Sequence, residues 1–180
     1  MKENKIIRFF NYEAALSFYT KQIDGMRQGY IKRTGIKKIA KPALLLAVIR
    51  GVENGTFKHN RFGYDEVEEI YDSVFSLYLE LAKQQGEKTP LCNPFYYLQT
   101  DGLWHHSMQP HAAAKTDSPS RAWIMRNVEY AYVDEELWTL LRNREYRQRL
   151  KDFIVSSKIL PRHTKLSASL RAFAGWLLAI

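Results

Sequence analysis

The residues that most directly indicate a ligand are the positively charged ones between residues 27 and 41. This basic segment contains six cations and no aspartate or glutamate: Arg27, Lys32, Arg33, Lys37, Lys38 and Lys41. Glycines interrupt the segment, and Pro42 follows it directly. Lysines, backbone N–H groups and the positive end of a helix dipole together suit a phosphate group. The pattern predicts phosphate contacts, and a solvated loop whose charges only favour solubility is the alternative.

A second group of positive side chains, in residues 142–151, favours a structural role. Five cations are spread around a predicted helix rather than along one face, with acidic residues nearby: Arg142, Arg144, Arg147, Arg149 and Lys151. We expect a solvated helix with internal ion pairs.

The histidines and the single cysteine form no recognisable catalytic or metal-binding pattern. His105 and His106 are adjacent on a predicted strand, so their side chains lie on opposite faces. His59 and His111 lie in polar loops without a carboxylate at helical spacing, and Cys92 alone cannot supply a zinc ligand set. We expect no metal, no cofactor and no complete catalytic site in this sequence. Whether the protein is part of an enzyme stays open.

Apolar periodicity predicts the helices that position these residues. Apolar spacings of three and four indicate two amphipathic helices. Between them, the apolar run that begins at Pro42 indicates a core helix, because proline suits a first helical turn and the later Asn54–Gly55 pair suits a helix end. Asp134 is the predicted N-cap of a further helix. The predicted helices span residues 11–32, 42–54, 65–83, 134–141, 144–157 and 167–180.

The middle of the sequence has the pattern of a small sheet. Aromatic residues indicate a strand that a tight turn at Thr100-Asp101-Gly102 reverses. The predicted strands span residues 95–99, 103–106 and 123–132, with an exposed loop over 107–120. Helices followed by strands and again by helices indicate an α+β fold. We expect a helix-rich single domain over residues 1–180 with a small antiparallel sheet in the middle.

The composition fits a folded protein with a polyanionic partner. Hydrophobic residues make up 46% of the 180 residues, and 27 lysines and arginines against 19 acids give a net charge of +8. Such an excess favours nucleic acid as the partner. The sequence shows no membrane-spanning run and no secretory leader, and a lone cysteine is typical of a reducing compartment. We expect a protein of the cytoplasm.

Three motifs in this order resemble one protein family. They are the basic segment entering KPALLLAVI, the long amphipathic helix after it, and NPFYYLQTDGLW, which begins at Asn93. Together they are similar to the DNA sulfur-binding domain of McrA-type, phosphorothioate-dependent HNH restriction endonucleases and related HNH proteins. The resemblance covers about residues 30–157. It implies a module that binds double-stranded DNA and targets an HNH nuclease unit in restriction. We do not find that unit in this sequence, so a fragment of a longer nuclease and a stand-alone reader both remain open.

The resemblance also implies which residues contact DNA. The family's basic residue before the helical proline corresponds to Lys41, and we expect Lys37 and Lys38 to add phosphate contacts. A downstream arginine of the family corresponds to Arg121. Together with Arg61, it is a candidate for contacts to bases.

A sulfur pocket is the most specific implication of the resemblance. The proline of that pocket corresponds to Pro94. Asn93 stands where the family often has tyrosine, and Tyr97 stands where it often has a small residue. Because a phosphorothioate sulfur is recognised by apolar contact, these two differences predict a more polar and narrower pocket. Binding of plain or otherwise modified DNA is therefore the alternative.

A protein-interaction or regulatory subunit is the hypothesis from a different class. On this hypothesis, an exposed docking surface consists of Tyr96, Tyr97, Trp104 and the apolar C-terminus.

Overall fold

The computed structural model describes residues 10–82, 88–112 and 115–160, and it has the predicted α+β fold. Within these residues, α-helices surround a two-stranded antiparallel sheet. The elements are α1 (Tyr12–Gly25), α2 (Ala40–Glu53), α3 (Tyr64–Leu79), α4 (Cys92–Tyr97), β1 (His105–Met108), α5 (Arg121–Asn127), β2 (Val128–Tyr132), α6 (Glu135–Arg142) and α7 (Arg144–Ile154). A 3₁₀ turn, Leu98–Asp101, continues α4, and a π-helical turn, Val155–Ile159, continues α7.

Helix α2 is the centre of the hydrophobic core, as its apolar run predicts. Ten of its fourteen residues are buried. Pro42 lies in its first turn, where a missing N–H removes no intrahelical hydrogen bond. The helix packs against α3, α4 and α7. Gly51 brings the ring of Phe57 directly against the helix backbone, since a Cβ at this position would overlap that ring.

Helix α1 is shorter than predicted. Asn11 caps its start by accepting a hydrogen bond from the Ala14 N–H at 2.9 Å, but the helix ends at Gly25 rather than near Lys32. Glycine and β-branched residues follow, and these favour turns and extended backbone over helix. Helix α3 likewise ends at Leu79, before the predicted end at residue 83.

The prediction of a strand over residues 95–99 is wrong. These residues lie in α4 and in the 3₁₀ turn that continues it. Buried Leu91, Phe95 and Leu98 follow the spacing of one helical face. Pro94 lies in the first turn of α4, so it supports the start of a helix instead of a strand. The residues from 123 to 125 are also helical, in α5, whose start Ser120 caps.

Strands β1 and β2 form the sheet, with His105 opposite Tyr132 and His106 opposite Ala131. Phe62 extends the pairing, because its N–H and C=O exchange hydrogen bonds with Ala131 at 2.8 and 3.0 Å. Beneath the sheet, the Trp104 ring stacks on Phe62 at 5.4 Å between centroids. This inner face of the sheet therefore belongs to an aromatic core.

Burial contradicts the predicted aromatic docking surface. Trp104 has no exposed area and Tyr96 is 7% exposed. Tyr97 is partly buried. Neither Tyr96 nor Trp104 can therefore contact a partner protein in this fold. The apolar C-terminus and the predicted helix over 167–180 lie outside the described residues.

The C-terminal helices form near their predicted positions, but their contacts differ. Asp134 precedes α6, yet its carboxylate makes no capping hydrogen bond to the helix. Two cations of α7 pair with acids of other helices rather than of α7 itself: Arg149 with Glu13 at 2.6 Å and Lys151 with Glu53 at 3.3 Å. These ion pairs fasten α7 to α1 and α2. None of the described helices is long and apolar enough to span a membrane.

Candidate nucleic-acid interface

Residues 27–38 form a projecting hairpin, which we call the basic arm. The Ile31 N–H donates to the Ile36 carbonyl at 2.8 Å, and the Lys38 N–H donates to the Gly29 carbonyl at 2.7 Å. Gly35 closes the turn with a φ of 67°, a left-handed conformation that glycine adopts without strain. The glycines of the basic segment thus shape a hairpin rather than an irregular loop.

The cations of the basic arm have no acidic partners among the described residues. No carboxylate there lies within ion-pairing distance of Arg27, Lys32, Arg33, Lys37 or Lys38. Four of these side chains are exposed, and Lys37 is partly exposed with its Nζ 6.0 Å from the Tyr30 ring centroid. The arm therefore presents unneutralised positive charge, in contrast to the paired cations of α7.

Two contacts fix the base of the arm to the rest of the fold. The Gln28 Nε2 donates to the Lys38 carbonyl at 3.0 Å and to the Lys158 carbonyl at 3.1 Å. On the other side, the Arg27 N–H donates to Asp101 Oδ1 at 3.0 Å. Because both contacts lie at the base, the direction in which the arm projects is set before any ligand binds.

Lys41 is already paired with a carboxylate. Its Nζ lies 2.5 Å from Asp101 Oδ2, and the two side chains are only 16% and 5% exposed. Asp101 thus joins the start of α2 to the arm through Arg27. This carboxylate occupies the place at the start of α2 where the sequence predicts a phosphate. In this structure Lys41 fastens the 3₁₀ turn to α2.

The Asn93–Pro94 turn lies at the opposite end of α4 from Asp101. Pro94 is buried, whereas Asn93 and Tyr97 are partly exposed. The Tyr97 hydroxyl donates to the Asp117 carbonyl at 2.8 Å. The Tyr96 hydroxyl accepts from the Thr116 N–H at 3.1 Å. These two hydrogen bonds hold the loop that precedes α5 against α4.

Arg121, the first residue of α5, lies beside this turn. Helices α4 and α5 pack against each other, and burial raises the pKa of the Cys92 thiol at the start of α4. The Arg121 guanidinium forms ion pairs with Asp65 and, at 3.1 Å, with Glu68. Its charge is therefore already partnered by two carboxylates of α3.

The eight residues predicted to contact DNA consequently lie in three places. Lys41 pairs with Asp101 at the base of the arm that carries Lys37 and Lys38. Asn93 and Pro94 lie in the first turn of α4, with Tyr97 at its end and Arg121 at the start of α5, which packs against it. Arg61 stands apart, exposed over the Tyr130 ring at 4.8 Å. Helix α4 and the 3₁₀ turn that continues it thus separate the Asn93–Pro94 turn from the contact between Asp101 and the basic arm.

The acids that hold these cations are distant from them in the sequence and were not predicted. Asp101 lies 60 residues from Lys41, and Asp65 lies 56 residues from Arg121. Local spacing carries no signal for such pairs, because they form only when the helices pack. Asp101 is part of the predicted turn, but the sequence of the turn does not indicate that Lys41 is its partner.

The histidine contacts are structural. His105 Nε2 lies 2.7 Å from Asp134 Oδ1, and the Tyr19 hydroxyl donates to the other oxygen of Asp134 at 3.1 Å. Burial and Asp134 raise the pKa of Tyr19, so its hydroxyl stays protonated as a donor. Within the described residues, no group of three or more His, Cys, Asp or Glu side chains is placed to hold a metal ion.

Comparison with known proteins identifies the class of fold. No family model matches the chain, and no curated protein matches it. Among solved structures, the fold is similar to sulfur-binding domains determined with DNA. One is the sulfur-binding domain of ScoMcrA complexed with phosphorothioated DNA. It has a TM-score of 0.59 and 17% identity, and the match covers 90% of this chain and 98% of that one.

A second similar structure contains an additional domain. It is the sulfur-binding domain and SRA domain of ScoMcrA complexed with phosphorothioated DNA, with a TM-score of 0.59 and 17% identity. The match covers 86% of this chain and 46% of that one. At this level of identity the likeness establishes the fold.

Proposed function

We propose that this protein is a DNA-binding domain that contacts the phosphate backbone of double-stranded DNA, with phosphorothioated DNA as its modified ligand. The observation that carries the proposal is the likeness over 90% of the chain to a sulfur-binding domain that was solved with phosphorothioated DNA. The resemblance of the motifs to this family, which was drawn from the sequence, supports the same function.

The basic arm supports DNA binding on physical grounds. Its cations have no carboxylate partners among the described residues, so they can neutralise phosphates without first breaking ion pairs. Each phosphate neutralised releases condensed counterions, which favours binding without regard to sequence. Lys37 and Lys38 are the proposed phosphate contacts, and Lys41 would join them only by leaving Asp101.

The start of α4 is the proposed position of the sulfur. We infer that Asn93 and Tyr97 border one backbone position there, since both are partly exposed while Pro94 between them is buried. Sulfur is larger and less strongly hydrated than oxygen, so apolar surroundings favour it over oxygen. The amide of Asn93 lowers that preference. We therefore expect a modest preference for phosphorothioate over phosphate.

Targeting of a nuclease is the proposed biological role. The resemblance to McrA-type proteins supports a module that brings an HNH endonuclease unit to its DNA in restriction, inside the cytoplasm. Base contacts from Arg61 and Arg121 would add sequence preference, because backbone contacts alone carry none.

Fluorescence anisotropy with matched duplexes tests the proposal. A labelled duplex with one phosphorothioate and the same duplex with plain phosphate are titrated with the protein. We expect both to bind, the phosphorothioated duplex more tightly. The double substitution Lys37→Glu, Lys38→Glu should weaken both complexes by at least about tenfold, because two attractive contacts become repulsive.

The control for this experiment makes the same charge change elsewhere. Arg142 ends α6 and Arg144 begins α7, and both are exposed and lie a full helix length from the π-helical turn that anchors the arm. Arg142→Glu with Arg144→Glu should weaken binding by less than about threefold at near-physiological salt, where screening limits distant charges. If the parent protein binds neither duplex, or if the two double variants lose affinity equally, the proposal is overturned.

A further inference from the structure

We propose that Asp65 and Glu68 compete with DNA for Arg121 and thereby lower the affinity of the domain for DNA. This inference rests on the proposed function. It concerns two acids of α3 that neither the fold likeness nor the motifs assign to any role.

The geometry is that of a guanidinium shared between two carboxylates. Arg121 Nη2 contacts Asp65 Oδ1, and Arg121 Nε donates to Glu68 Oε2 at 3.1 Å. The guanidinium also lies over the Tyr64 ring at 5.8 Å from its centroid. Carboxylate and phosphate oxygens accept from the same N–H groups of a guanidinium, so the Nε and Nη2 groups of Arg121 cannot fully serve both at once.

Exposure makes the contact exchangeable. The side chains of Arg121 and Asp65 are 56% and 58% exposed, and that of Glu68 is 32% exposed. Ion pairs in such surroundings are weak and easily replaced. The pair between Lys41 and Asp101 differs, because both of its side chains are largely buried. Of the predicted DNA-contacting cations, Arg121 is thus the one whose internal partners a DNA phosphate can displace at low cost.

The position of the contact places this competition beside the proposed DNA site. Arg121 follows the loop held by Tyr96 and Tyr97, and it begins α5, which packs against α4. A duplex bound at the start of α4 therefore brings its phosphates close to both Arg121 and the two acids. The acids repel those phosphates in addition to holding the arginine.

The helix itself offers a matched control. Glu66 and Glu69 are exposed on the same helix and have no ion-pair partner among the described residues. If acids on α3 only stabilise the start of the helix through its dipole, removing Asp65 and Glu68 should affect DNA binding as little as removing Glu66 and Glu69. If Asp65 and Glu68 act through Arg121, only their removal should change DNA binding strongly.

The test measures the affinity of a plain duplex by fluorescence anisotropy at low and at near-physiological salt. Asp65→Asn with Glu68→Gln should raise the affinity about three- to tenfold at low salt, and less at higher salt because of screening. Glu66→Gln with Glu69→Gln removes the same charge from the same helix and should raise it less than about twofold.

A double-mutant cycle with Arg121→Gln separates the arginine from general electrostatics. We expect Arg121→Gln to change the affinity little in the parent protein and to lower it several-fold in the Asp65→Asn, Glu68→Gln background. Unfolding curves of each variant verify that it is folded.

Two patterns of failure have different meanings. If the parent protein binds DNA and the two double variants of α3 gain equally, or if Arg121→Gln has the same effect in both backgrounds, the competition is refuted while the proposed function stands. If neither the parent protein nor any variant binds duplex DNA, both proposals fail together.

Discussion

His106 shows what burial does to a single titratable side chain in this fold. Its ring stacks on Phe95 at 5.5 Å between centroids, and its Nε2 lies 2.9 Å from the Phe95 carbonyl. That carbonyl accepts only from a protonated Nε2, so a neutral ring with its proton on Nε2 satisfies the contact. Burial lowers the pKa of His106, because a second proton would place a charge in the aromatic core.

Stability should therefore fall as the solution becomes mildly acidic. The unfolded chain protonates His106 near its ordinary pKa of about 6.5, whereas the folded chain resists protonation. The contribution of neutral His106 is fully present above about pH 6.5 and is lost as the pH falls through its lowered folded pKa. Urea unfolding at pH 7 and pH 5 should show a smaller pH dependence for His106→Gln than for the parent protein.

Two comparisons isolate this effect. His59→Gln, at an exposed position, should keep the pH dependence of the parent protein. Glu13 affects stability in a lower pH range. Hydrogen bonds from Arg149 and Tyr146 lower the pKa of its carboxyl group, so its contribution to stability is lost only at more acidic pH. Equal pH dependence in His106→Gln and the parent would show that His106 is not the group responsible.

Single residues also show the limits of prediction from sequence. The sequence predicted phosphate contacts from Lys37 and Lys38, and in the structure Lys38 is exposed and Lys37 partly exposed. The pairing of Lys41 could not be predicted, since Asp101 reaches it only through the packing of α2 against α4. Whether these lysines contact phosphate remains a prediction.

At the scale of elements, α4 is the clearest difference between expectation and structure. The density of aromatic residues favoured a strand, whereas the spacing of the buried side chains is helical. A six-residue helix offers less than two turns of periodicity, so aromatic propensity outweighed spacing. Helix α2 was predictable because its apolar run is long and begins with Pro42.

The contact between α2 and Phe57 gives a prediction at the same scale. A methyl group added at Gly51 would overlap the Phe57 ring and approach Ile70 at 3.1 Å, within a buried part of the core. Gly51→Ala should therefore lower the free energy of unfolding by about 1–3 kcal/mol despite the higher helix propensity of alanine.

Gly25 is the matched control for this substitution. It ends α1, and a Cβ there would meet no atom within 4 Å. Gly25→Ala should leave stability unchanged or raise it by up to about 1 kcal/mol. Chemical unfolding of both variants measures the difference, and a Gly51→Ala variant as stable as the parent protein would show that Phe57 can move away from α2.

At the scale of the whole molecule, the positive charge is of two kinds. Arg149 and Lys151 of α7 pair with acids of α1 and α2 and hold these helices together. The cations of the basic arm have no such partners within the described residues. The net charge of +8 predicted a polyanionic partner, but only the structure distinguishes these two groups. The α+β class followed from the order of the elements, and this prediction is confirmed.

The distinction predicts how salt affects DNA binding. Replacing Lys37 and Lys38 by glutamine removes two proposed phosphate contacts. The slope of log affinity against log salt concentration should become shallower by about 2. Glutamine at Arg142 and Arg144 should leave the slope nearly unchanged. Anisotropy titrations at several salt concentrations measure the slopes, and a parent slope near zero would exclude phosphate contacts.

The contact of Asp101 with both Lys41 and the Arg27 backbone has a geometric consequence. It fixes the basic arm at one end of the short helical unit whose other end carries Asn93. On the proposed function both regions contact the DNA backbone, and this connection keeps the distance between them constant. A duplex presents its phosphates at regular intervals and can match that span without rearrangement, whereas a single strand must be ordered to do so. On the proposed function, the domain should therefore discriminate between DNA forms by shape, independently of base sequence and of sulfur.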